Sequence, residues 1–122
     1  MCEVKAYDLE DWLVDFAVMI LDLSEKLPRS QAGMHIAEQI LRCGTSSAAN
    51  YGEAQGAESR KDFIHKLKIA AKELKETRIW VKIINRKNYV DVDVSSSALE
   101  ECKELIRIFG KSISTAESNS SR

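Results

Sequence analysis

The chain has 122 residues, 44% of them hydrophobic and 30% charged, with a formal net charge of −1. This length supports one hydrophobic core rather than two, and the near-neutral total excludes a uniformly basic or acidic protein. Three cysteines (Cys2, Cys43, Cys102) and two histidines (His35, His65) make neither a C-x-x-C pair nor a zinc pattern, so no metal or cofactor is expected.

The first helical segment is read from Val4 to Lys26. Leu9, Leu13, Phe16, Ile20, Leu23 and Leu27 recur at spacings of four and three, the seam of a bundle helix. Asp8, Glu10 and Asp11 suit a helix N-terminus, where the dipole favours negative charge. An acidic start of this kind is not a secretory signal. No apolar run approaches the roughly 20 residues that span a bilayer. A cytoplasmic location with reduced thiols and no membrane partner is expected. Pro28 ends the segment, because the residue before a proline is pushed out of the helical region.

The second segment runs from Ala32 to Gln55, with Ile36, Ala37, Ile40, Leu41, Gly44, Ser47, Ala48, Tyr51 and Ala54 inward. Gly44 and Gly52 each cost about 1 kcal/mol relative to alanine in a helix interior, which is reasonable where a neighbour packs very close. Gly56 is the expected C-terminal cap. The third segment, Arg60 to Lys87, opens on a Ser59/Asp62 cap. It then carries Phe63, Leu67, Ala70, Leu74, Thr77, Val81 and Ile84 in unbroken four-three spacing. "NRKNYVDVD" is a polar break, and its short "YVDVDV" alternation is too brief for a strand. The fourth segment, Ser96 to Thr115, turns Leu99, Cys102, Leu105 or Ile106, Phe109 and Ile113 inward, and Ser97 with Glu100 reads as its cap. Together these predict an all-α, antiparallel up-down four-helix bundle over residues 1–115, followed by a disordered tail, 116–122.

The stretch "GTSSAANYGEAQGAESRKDF", Gly44 to Phe63, mixes glycines with polar residues and invites a functional reading. It has neither G-x-G-x-x-G nor G-K-[ST], and no strand precedes it, which excludes the common phosphate cradles. On a helical wheel Gln39, Arg42, Ser46, Asn50 and Glu53 fall on one stripe flanking the apolar face. That stripe is either a hydrogen-bonded seam fixing helix register or a ligand or partner site. Asn50 and Glu53 are placed to cap a neighbouring turn or to hold Arg42 or Arg60. Catalysis is disfavoured: the histidines are far apart, no E-x-x-H motif supplies bundle metal ligands, and Cys43 has no evident base.

Charge is unevenly placed. Residues 1–26 carry seven acids and two bases, whereas residues 60–87 carry ten bases and three acids. On the third segment Lys61, Lys68, Lys72, Lys75, Lys82 and Arg86 gather in an arc of about 80° away from the core seam. Clustered cations of this kind suit a phosphate backbone, bound without sequence preference. No aromatics are interleaved, so base stacking is unsupported. The alternative is a solvated face, or one paired with the acidic first helix of the same or a neighbouring chain. Ile69, Trp80 and Ile83 lie off the seam, as do Val14 and Val18, and are expected at an oligomer interface.

Residues 41–77, with Gln39 just before them, carry a further signal: Gln39/Arg42 as Q-x-x-R, Ser46/Asn50/Glu53 as S-x-x-x-N-x-x-E, then Gly56, Ser59, Phe63, Leu67, Ala70 and Glu73. With Leu27-Pro28 and the C-terminal helix, this resembles the bacterial four-helix-bundle family encoded in intervening sequences of large-subunit ribosomal RNA genes, once labelled small-subunit ribosomal proteins. The resemblance covers most of the chain. It implies an up-down four-helix bundle, assembly as a homopentamer and no established enzymatic activity. A relative, the accessory protein of diversity-generating retroelements, shares the bundle and binds nucleic acid through a basic surface, but is basic overall where this chain is slightly acidic. The reading is therefore a non-enzymatic homo-oligomeric scaffold with RNA or a nucleoprotein as partner. The alternative is a protein-only interaction module.

Overall fold

The computed structural model describes residues 9–120. The expected helix start at Val4, together with Cys2 and Asp8, lies outside that range. Four helices follow: α1 (Leu9–Glu25), α2 (Gln31–Gln55), α3 (Arg60–Lys87) and α4 (Val92–Ser120). α2 packs on α1 and α3, and α4 packs on α3 and α1. α1 and α3 make no contact, so they stand at diagonal corners of an up-down four-helix bundle.

The core is the set of inward stripes set by the 3.6-residue period. Leu13, Phe16, Ile20 and Leu23 of α1 are buried with Ile40 and Cys43 of α2, Leu67, Leu74, Val81 and Ile84 of α3, and Cys102, Leu105 and Phe109 of α4. Polar groups enter this core on local terms. Thr77 Oγ1 donates to the Glu73 carbonyl at 2.8 Å, satisfying its hydroxyl inside its own helix. Ser47 is equally buried, but its Oγ has no hydrogen-bond partner among the described residues.

The helix ends follow the chemistry of their caps. Ser30 accepts from the Gly33 N–H at 3.1 Å and starts α2 one residue earlier than the sequence suggests. Ser59 accepts from the Asp62 N–H at 3.1 Å, as its spacing predicts. Gly56 closes α2 in a right-handed conformation, φ −98°, rather than a left-handed one. α3 ends on Asn88 at φ 56°, with Tyr89 N–H reaching the Ile84 carbonyl at 3.3 Å.

α4 departs from expectation at both ends. It begins at Val92, inside the "YVDVDV" alternation, so Ser97 and Glu100 lie within the helix and do not cap it. The Asp91 carbonyl accepts from Val94 and Ser95 N–H at 3.0 and 3.2 Å, and Ser95 Oγ donates to Asn85 Oδ1 of α3 at 2.5 Å. These bonds tie the first turn to the bundle. At the other end the helix runs through the expected tail to Ser120, with Ala116 buried.

One glycine is dictated by a close approach. A Cβ on Gly33 would lie 2.1 Å from the Pro28 carbonyl oxygen, a collision with backbone that cannot swing aside. Around Gly52, by contrast, nothing lies within 4 Å. Gly33→Ala is therefore expected to destabilise the fold by about 1–3 kcal/mol, and Gly52→Ala to stabilise it by about 1 kcal/mol. Urea unfolding midpoints of the two variants should move in opposite directions.

Candidate functional site

The polar stripe of α2 lies on the outer side of its junction with α3, and its members have different partners. Arg42 Nη1 meets Glu73 Oε1 at 3.2 Å, while Nη2 meets Glu76 Oε2 at 2.5 Å and Gln39 Oε1 at 3.4 Å. Glu76 also accepts from Trp80 Nε1 at 3.1 Å, and His35 of α2 packs edge-on against that indole with ring centroids 5.9 Å apart. Desolvation is the largest single influence on the Arg42 guanidinium and acts downward, but Glu76 and Glu73 together outweigh it and hold the pKa above the usual value. Glu53 pairs with Lys66 at 2.7 Å rather than with Arg42 or Arg60. Ser46 Oγ donates to the Cys43 carbonyl at 3.2 Å and Asn50 Nδ2 to the Ser46 carbonyl at 3.0 Å, both within α2.

The structure thus divides the five predicted residues into a charged clamp across two helices, a separate ion pair, and two self-bonded side chains. Glu73, Glu76 and Trp80 complete the clamp. Their i, i+3, i+7 spacing on α3 was available in the sequence, but the rotation of α3 that aims them at Arg42 was not. Such exposed ion pairs align the helices more than they stabilise them. Open depressions of about 310–380 Å³ lie elsewhere: beside Phe63 at the start of α3, and between α1 and α4.

The predicted basic face is on the outside of α3. Lys61, Lys68, Lys72, Lys75 and Arg86 are exposed and Lys82 is half-buried. Lys68 pairs with Glu117 of α4 at 2.8 Å. The other five form no ion pair with a described residue. The acidic helix α1 is on the diagonal and does not neutralise them within the chain. Of the predicted interface residues, Ile69 and Trp80 are half-buried, whereas Ile83 of α3 and Val14 and Val18 of α1 are exposed. The sequence reading passed over Ile79, which is exposed in the middle of the basic arc, because it tracked only cations there.

Among the described residues no group of three or more histidine, cysteine, aspartate or glutamate side chains could hold a metal, and no helix is long and apolar enough to cross a membrane. The two described thiols are buried, and burial raises the pKa of both. Cys102, bonded to the Leu74 carbonyl at 3.2 Å, is pushed from 9.0 up to about 12. The native state then keeps a proton that the unfolded chain releases. Its contribution to stability is complete below pH 9 and is lost as pH rises toward 12, by about 1.4 kcal/mol per pH unit. Urea unfolding at stepped pH should show wild type losing stability faster than Cys102→Ala over that window.

The family model described as 23S rRNA-intervening sequence protein matches residues 9–111. A crystal structure of a protein of unknown function from the S23 ribosomal protein family of Bacteroides thetaiotaomicron is 38% identical, with a TM-score of 0.79, and the match covers 85% of this chain and 96% of that one. A search of curated proteins finds no match.

Proposed function

The chain belongs to the 23S rRNA-intervening sequence protein family, and from that premise we propose that it is a non-enzymatic, cytoplasmic, homo-oligomeric scaffold, a pentamer by its family resemblance, that binds RNA through the basic face of α3. One observation carries this reading: Lys61, Lys72, Lys75, Lys82 and Arg86 lie together on one helix face with no carboxylate partner among the described residues. Unneutralised cations along a rigid helix attract a phosphate backbone by releasing its counterions. With no aromatic side chain among them, they read charge and not base identity. The polar residues of α2 are engaged within their own helix and with α3, which supports a framework role over a reaction centre.

The test is RNA binding by fluorescence anisotropy at several salt concentrations, with mass measured by light scattering. Lys61→Glu combined with Lys68→Glu should lower the magnitude of the salt slope by about 2 and leave the mass unchanged. Unchanged affinity in that variant, or no binding by wild type at low salt, sinks the RNA reading. The protein-only module would then take its place, favoured by the exposed Ile79 within the basic arc.

A further inference from the structure

The outer faces of α1 and α3 mirror each other in composition and oppose each other in charge. On α1, Val14, Val18 and Leu21 are 46%, 49% and 42% exposed, at i, i+4 and i+7. Asp11, Asp15, Asp22 and Glu25 flank them, all exposed and forming no ion pair with a described residue. On α3, Ile79 and Ile83 are 49% and 37% exposed, again four apart, with Lys72, Lys75, Lys82 and Arg86 around them. An apolar line bordered by charge is how two helices recognise each other in a coiled coil, where the flanking charges select the partner. Within one chain the two faces cannot meet, because α1 and α3 occupy diagonal corners and each faces away from the other.

We infer that α1 of one copy seats against the C-terminal half of α3 of a second copy, Val14, Val18 and Leu21 packing on Ile79 and Ile83 while the α1 acids pair with Lys75, Lys82 and Arg86. This rests on the homo-oligomeric part of the proposed function and supplies its interface. The two patches lie on opposite sides of the bundle and differ from each other. The contact is therefore head-to-tail, and its repetition closes a ring or extends a filament rather than stopping at a two-fold dimer. Length sets what remains free. The 17 residues of α1 span about 25 Å and the 28 of α3 about 42 Å. A neighbour's α1 centred between Ile79 and Ile83 leaves Lys61, Lys68 and Lys72 uncovered. The basic face is thereby divided, its C-terminal part serving assembly and its N-terminal part open to RNA.

Light scattering on the RNA-free protein tests this, with circular dichroism and urea unfolding confirming that each variant is folded. Wild type should be a multimer, and Asp15→Lys combined with Asp22→Lys should run at the mass of a single chain. Adding Lys82→Glu and Arg86→Glu to that variant restores opposite charge across the contact and should restore the multimer. Three results would overturn the pairing: a monomeric wild type, a reversed-charge α1 variant of unchanged mass, or a fourfold variant that stays monomeric. RNA binding is read separately by anisotropy and depends on Lys61 and Lys68, so failure of either proposal is visible without the other.

Discussion

Raising salt from about 50 to about 200 mM should weaken RNA binding by about 40-fold to about 1,800-fold for each basic face engaged. The range is a count of cations. Six side chains neutralising phosphates on a duplex give a slope near −5.4 in logarithmic units, which over this fourfold change is about 1,800-fold. If a neighbouring α1 occupies Lys75, Lys82 and Arg86, the three left give a slope near −2.7 and about a 40-fold loss. Wild type and the assembly-deficient α1 variant should therefore differ, the monomer showing the steeper slope per chain. A flat response would mean that binding, if present, does not run through these lysines. The ion pair between Lys68 and Glu117 is partly exposed on both sides and is readily exchanged for a phosphate.

The second large effect concerns the core that holds α3 in place. Phe109 is fully buried, and its ring meets Tyr51 of α2 edge-on with centroids 6.0 Å apart at 74°. Phe109→Ala should cost about 3–5 kcal/mol, combining lost burial with the cavity left behind. The aromatic pair contributes about 0.5–1.5 kcal/mol beyond area, so Phe109→Leu should recover most of the loss but not all. Urea unfolding of the three chains measures this. A loss below about 1 kcal/mol for the alanine variant would mean that the ring does not fill the bundle centre.

Residues whose position depends on their own helix were legible in the sequence. Leu13, Phe16, Ile20 and Leu23 on α1, and Leu67, Leu74, Val81 and Ile84 on α3, are buried as their spacing requires. The Ser59 cap needed only its near neighbours. The start of α4 was misread because Tyr89 to Val94 alternates as a strand does, whereas the bond from Ser95 to Asn85 that anchors it crosses to another helix. The candidate site was half legible for the same reason. A wheel placed Gln39 and Arg42 on one stripe, but whether Arg42 met Glu53, Glu73 or Glu76 depended on how α3 is rotated and shifted against α2. Gly44 was expected at a close approach, and its Cβ would lie 2.6 Å from Ile20 Cγ2. Gly52, given the same reason, faces open space. The sequence marks a glycine's cost but not what stands opposite it.

The diagonal placement of α1 and α3 separates two kinds of mutation. A charge altered at Asp15 or Asp22 loses no ion-pair partner among the described residues, so a thermal-shift screen of the isolated chain would score it as silent while its effect on association is large. Variants on these faces can therefore be ranked only by concentration-dependent measurements. Conversely, engineered chains with matched reversals on α1 and α3 would assemble among themselves and ignore the parent, giving two non-mixing assemblies from one fold.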